Sequence, residues 1–186
     1  MLNGLEMCVN HARRVKRKGP LFFTRGINVI VGPNGSGKST ILKALYSCDR
    51  CQNAMDIDVR LHYFNSVTMN PRTDESPALN MTNMALRLRA AFSSHGEILK
   101  AAFTTLPIQK GDCLLIDEPE AGQDLDGILK IREGLNALCE GGGQVIMASH
   151  HPVFWRDCNI LELKKGYVAT QLRKYREIIG SDGVGE

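Results

Sequence analysis

No apolar run in this sequence approaches the ~20 residues a helix needs to cross a bilayer, so no membrane span is expected. The opening stretch, Met1 to Val9, lacks the basic start and apolar middle of a secretory signal, and a cytoplasmic setting is the expectation. No heptad-rich stretch lies between Lys38 and Ser94, which excludes a long coiled-coil arm there. Also absent are internal repeats and a composition break of the kind a linker makes, leaving one domain over residues 1–186 with its core expected over about 21–172, long enough to bury a core without staples. The net charge is small, at +3.

What is present begins with glycine. Gly32, Pro33, Asn34, Gly35, Ser36, Gly37, Lys38, Ser39 and Thr40 form a complete phosphate-cradling loop. Glycines at 32, 35 and 37 let backbone N–H groups surround a phosphate without a Cβ in the way, and the helix that follows turns its positive end toward it. In this pattern Lys38 bridges the terminal phosphates and the Ser39 hydroxyl ligates Mg²⁺. By itself the loop fits kinases, GTPases and helicases equally well.

The flanking residues supply its context. Leu21–Phe23 and Ile27–Val31 read as strands around a turn, and Thr40–Ser47 carries apolar residues at helical spacing. Ile57–Phe64 reads as a strand ending at Asn65, Met81–Phe92 and Glu97–Phe103 as helices, and Leu125–Cys139 as a helix closed by Gly141 to Gly143. Cys113–Ile116 and Val145–Ala148 are continuous apolar runs, the form of strands buried on both faces of a parallel sheet. Asn159–Leu163 and Tyr167–Gln171 flank Lys164-Lys165-Gly166 and predict a hairpin, and the glycine-rich tail after 180 is expected to be disordered. Asp117 and Glu118 end the first buried run, where one carboxylate can hold Mg²⁺ through water and the next can act as base toward an attacking water.

Taken in order, these segments resemble the ABC ATPase superfamily, including the heads of chromosome-maintenance and recombination-repair ATPases, from about Phe22 to Thr170. Leu114 to Glu120 is similar to the family's Walker B segment. Ala121 to Asp126 occupies the position of its D-loop, with Asp124 or Asp126 as the acidic member. Val145 to His150 resembles its strand and switch histidine, with His151 a neighbour. Ser94-His95-Gly96-Glu97 resembles its signature motif, with His95 in place of a glycine; a plain helix cap is the alternative. No glutamine follows the Ile57–Phe64 strand, and Asn65 is the candidate substitute.

The resemblance implies an α/β P-loop NTPase with a mainly parallel sheet flanked by helices, a small antiparallel portion, and a short helical insertion carrying the signature. It also implies ATP and Mg²⁺ as ligands, a homodimer with ATP at the interface, Ser94 and Gly96 acting across it, and hydrolysis by Lys38, Glu118 and His150. Three roles stay open: a free-standing ATPase acting on nucleic acid or a protein, the nucleotide-binding subunit of a transporter, and a nucleotide-switched binding module with little turnover. Phe22 and Phe23 are candidates to stack on adenine, with core packing as the alternative.

Two features lie outside these motifs. Arg13, Arg14, Lys16, Arg17 and Lys18 form a basic cluster suited to phosphate backbone or acidic lipid, yet no aromatic residues interleave with it, and a solvated segment is the other reading. The six cysteines are expected to be free thiols in a reducing compartment. Cys8 with His11, and Cys48 with Cys51, have the two-residue gap of zinc ligands, although chance produces such gaps readily in a chain with six cysteines.

Overall fold

The apolar runs pair side by side into one parallel sheet. A computed structural model of the chain describes residues 1–53, 59–65 and 109–181. Its strands are β1 (Gly4–Leu5), β2 (Leu21–Phe22), β3 (Gly26–Val31), β4 (Leu61–Asn65), β5 (Cys113–Asp117), β6 (Gln144–Ala148) and β7 (Asn159–Glu162). Its helices are α1 (Val9–Ala12), α2 (Lys38–Ser47), α3 (Asp49–Asn53), α4 (Leu125–Glu140) and α5 (Tyr167–Ser181), with a 3₁₀ turn at Pro152–Trp155.

Five strands stand in the order β4-β5-β6-β3-β7, all parallel, and β1 pairs with β2 in a separate antiparallel ribbon. Because side chains alternate across a strand, the central strands feed two cores. Ile27, Val29, Val31, Leu114, Ile116, Val145 and Met147 pack on one side with Ile128, Ile131 and Leu135 of α4. Ile30, Cys113, Leu115, Ile146 and Ala148 pack on the other with Ile41, Leu42 and Leu45 of α2. The apolar core reaches back before residue 21, since Leu2, Leu5 and Val15 are buried.

One buried polar residue joins three strands. The Asn28 amide donates to Thr24 O (2.9 Å) and Val145 O (3.1 Å), and its oxygen accepts from Thr24 N (2.8 Å) and from Asn159 Nδ2 (2.9 Å). Asn28→Leu leaves these groups unpaired inside the sheet. It is expected to lower the unfolding free energy by about 2–3 kcal/mol, read by urea denaturation at unchanged m-value. A loss below about 0.5 kcal/mol would mean that the network contributes nothing net.

The structure departs from the sequence expectation in two places. Residues Tyr167–Gln171 open the helix α5 instead of returning as a strand. The reason is Glu162, whose carboxylate accepts from Gly166 N (2.7 Å) and Val168 N (2.8 Å), satisfying N–H groups at the helix start. Tyr167, Val168 and Leu172 then pack against the α4 side of the core, and β7 pairs only in parallel, with β3. Residues Leu21–Phe22 are a strand, but their partner is Gly4–Leu5 and not Ile27–Val31. Phe23 is in the core. Phe22 is exposed, and its carbonyl accepts from Asn159 at the start of β7, at the opposite end of the sheet from the glycine loop.

Candidate functional site

Parallel strands deliver their C-terminal ends to one edge of the sheet, the edge at which open α/β sheets bind ligands. Four strands bring the candidate residues there. The glycine loop leaves β3 after Val31, Asp117 ends β5, Ser149 and His150 follow β6, and Asn65 ends β4 directly opposite Asp117.

The loop has the backbone its glycines allow. Gly35 and Gly37 have φ of 68° and 101°, and a Cβ at Gly32 would lie 2.7 Å from Ser36 Oγ. Lys38 is 6% exposed and folds back over the loop, donating to Gly32 O at 3.2 Å and Pro33 O at 3.5 Å. Burial pushes its pKa below the ordinary lysine value, opposed by the charges of Glu118, Asp117 and Glu120.

Ser39 Oγ donates to Asp117 Oδ1 at 3.1 Å, so the hydroxyl and carboxylate expected to share a metal already meet. Asp117 is buried, and burial raises its pKa, with the Ser39 bond opposing the rise and the Glu118 charge adding to it. A divalent cation would reverse that balance. Glu118 holds a left-handed backbone, φ 52°, with its N–H donating to Ala148 O at 2.9 Å. That conformation costs a non-glycine residue on the order of 1 kcal/mol, and such costs collect where a side chain must be aimed.

The segment after β6 is held by Glu120. Its carboxylate accepts from His150 N (2.6 Å) and from Ser149 Oγ (2.9 Å), and burial raises its pKa. His150 Nδ1 lies 3.3 Å from the Tyr167 hydroxyl. Burial lowers the imidazole pKa, with Lys38 adding to the effect and the charges of Glu120 and Glu118 opposing it, a balance that favours the neutral ring. The neighbouring His151 turns away to cap the 3₁₀ turn, its Nδ1 accepting from Val153 N at 3.3 Å.

Lys38, Ser39, Asp117, Glu118 and His150 therefore share one edge. Asn65 Nδ2 reaches Asp117 Oδ2 at 3.4 Å, placing the substitute for the missing glutamine beside the same carboxylate. Asp124 caps α4 through Gly127 N at 2.8 Å, leaving Asp126 as the other acidic residue of that turn. Ser94 and Gly96 lie outside the described residues.

Sequence reasoning missed three side chains here. Tyr63 reaches Asp117 at 3.5 Å and stacks on Tyr46, with ring centroids 5.3 Å apart. Tyr167 meets His150, and Glu120 anchors it. Only Glu120 carried a local signal, as part of Pro119-Glu120 beside the paired carboxylates.

The geometry suits a polyphosphate with a divalent cation. Ser36 Oγ and His150 Nε2 are buried polar atoms that have no partner among the described residues.

An AAA domain family model matches residues 15–48, which take in the whole glycine loop. A protein of Staphylococcus aureus (strain COL) named as an ABC transporter ATP-binding protein is 26% identical over 189 residues, covering 80% of this chain and 33% of its own length. These matches support an ABC-type P-loop ATPase. The ATP-binding protein YdiF of Bacillus subtilis (strain 168) is 29% identical over 181 residues, covering 82% of this chain and 28% of YdiF. The chain thus spans about a third of the length of these curated relatives. In fold, the chain is similar to cbiO1 from Clostridium perfringens, part of the ABC transporter complex cbiONQ, with a TM-score of 0.53, 15% identity and 95% of each chain covered. No helix among the described residues is long and apolar enough to cross a membrane.

Proposed function

We propose that this head hydrolyses ATP with Mg²⁺, within a homodimer that closes on the nucleotide. The observation that carries the reading is the Ser39–Asp117 hydrogen bond at the mouth of the glycine loop, with Lys38 folded over the loop beside it.

Lys38 would bridge the terminal phosphates, with Gly32 to Thr40 cradling them. Ser39 and Asp117 would hold Mg²⁺, which would supply charge neutralisation as the γ-phosphoryl group passes to water and ADP departs. Glu118 would accept a proton from the attacking water, and neutral His150 would hold that water in line through its unpartnered Nε2. Glu120 would act as a positioning residue, because it grips the His150 backbone. Ser94 and Gly96 would complete the site across the dimer.

The test is phosphate release by the purified chain with Mg²⁺ and with a chelator, alongside its mass in solution with and without ATP. Turnover that needs Mg²⁺ and a mass that doubles with ATP are expected. A monomer without turnover that still binds ATP would favour the nucleotide switch instead. Glu120→Ala is expected to lower turnover on the order of 100-fold while ATP affinity changes little, since misplacing His150 by about 1 Å is enough. A matching fall in affinity would place Glu120 in nucleotide binding.

A second reading has its own observation: the S. aureus relative is named as an ABC transporter ATP-binding protein. On that reading the head passes its closure to a membrane partner, and co-purification with an integral membrane protein would favour it. The exposed charges of Arg13, Arg14, Lys16 and Lys18 support nucleic acid as the partner of a free-standing ATPase. Salt-sensitive DNA binding that survives neutralisation of those charges would sink that assignment.

A further inference from the structure

Away from the nucleotide edge, four chemically distinctive side chains from two distant segments converge. The Sγ atoms of Cys8, Cys48 and Cys51 and one ring nitrogen of His11 all lie within 4.8 Å of one another. We propose that these four residues form a structural zinc site.

The geometry is close to a coordination tetrahedron. With Zn–S near 2.3 Å and Zn–N near 2.0 Å, its edges are about 3.8 Å between sulfurs and about 3.5 Å between sulfur and nitrogen. Cys8 Sγ lies 4.0 Å from Cys48 Sγ, His11 Nδ1 lies 3.2 Å from Cys8 Sγ, and Cys51 Sγ lies 3.6 Å from the same nitrogen.

Each pair is arranged by local backbone. In α1, His11 N and Ala12 N both donate to Cys8 O, at 3.0 and 2.9 Å, which turns side chains three apart to one face. At the junction of α2 and α3, Cys51 N and Gln52 N make the same bonds to Cys48 O, each at 2.9 Å. The Cys8 N–H donates to Cys51 Sγ at 3.3 Å, a bond that supports a thiolate ligand from outside the coordination sphere.

The ligand set selects the metal. Three soft thiolates and one imidazole at tetrahedral spacing suit Zn²⁺, and the separations are too small for an iron–sulfur cluster to sit between them. Four protein ligands leave no open position, so the site is structural and not hydrolytic. A redox dithiol would need only Cys48 and Cys51, and would leave the convergence of Cys8 and His11 without a purpose.

The metal closes a loop between residues 8–11 and 48–51, a strong constraint on chain entropy. The segment it ties down continues beneath the glycine loop. Lys16 N donates to Ser36 O at 3.1 Å, and Val15 packs so tightly on Gly37 that a Cβ there would lie 2.8 Å from its side chain. Zinc would therefore fasten the support on which the loop rests.

The experiment is elemental analysis of the purified chain, followed by replacement of the bound metal with Co²⁺. About one zinc per chain is expected, and the cobalt form should show visible bands of a tetrahedral site with thiolate charge transfer. Cys51→Ser should lose at least about ten-fold of the metal affinity, whereas Cys139→Ser and Cys158→Ser should keep it. His11→Cys should retain the metal with a shifted cobalt spectrum, a readout that does not depend on Cys51→Ser folding. Lys38→Ala should retain full zinc, so failure of the zinc site and failure of the nucleotide reading are separable. Wild-type chain with less than about 0.1 zinc that takes up no Co²⁺ after reduction, or a Cys48–Cys51 disulfide in protein purified under reducing conditions, would overturn the proposal.

Discussion

Glu118→Gln is expected to keep ATP bound while phosphate release falls by about 1000-fold, the range over which a positioned general base contributes. The substitution conserves shape, so the left-handed backbone at this position and the bond from its N–H to Ala148 O are unaffected. What disappears is the negative charge. That charge raises the Asp117 pKa and acts on Lys38, so its removal eases the approach of an anionic phosphate and nucleotide affinity holds or improves. Slow hydrolysis with undiminished binding should accumulate the ATP-bound dimer, visible as a doubled mass in light scattering that reverses when ATP is withdrawn. Turnover equal to wild type in the purified variant would take Glu118 out of the mechanism.

Lys38→Ala should act on the other side of the same cycle. Lys38 is the cation folded over the loop, surrounded by the charges of Glu118, Asp117 and Glu120. Without it, phosphate meets the carboxylates of Asp117 and Glu118 with the nearest ammonium gone, and its charge-assisted contacts are lost. ATP binding is expected to weaken by at least about 100-fold, roughly 2.7 kcal/mol, measured by calorimetry. The fold should not suffer. A buried ammonium is costly to desolvate, so its replacement by a methyl group leaves the melting temperature equal or higher. Weak binding accompanied by a lower melting temperature would assign Lys38 to the fold and not to the ligand.

Much of this site was legible before any coordinates because its parts are local. The glycine spacing, the Lys-Ser pair and the apolar run ending in Asp117 and Glu118 each occupy a few consecutive residues, and backbone sterics and burial dictate what they form. The order of those segments then pointed to the ABC family, and the sheet brings them to one edge as that order requires.

Other features depended on partners remote in sequence. Tyr167–Gln171 looks strand-like after a glycine turn, and only the Glu162 carboxylate under Gly166 and Val168, with the core behind Leu172, makes it a helix. Leu21–Phe22 is equally competent to pair with either neighbour, and its register with Gly4–Leu5 follows from burial of Leu5 and Leu21 on the α2 side. Glu120 and Tyr167 have no visible connection until β6 brings His150 between them.

The four residues of the zinc site show the division most plainly. Two ordinary two-residue gaps, 40 residues apart between Cys8 and Cys48, are weak evidence in a chain with six cysteines. Helical turns set the spacing within each pair, which sequence can express. The meeting of the pairs is a matter of packing, since the N-terminal segment and α2 share one apolar core, and only that core places four ligand atoms around a common point.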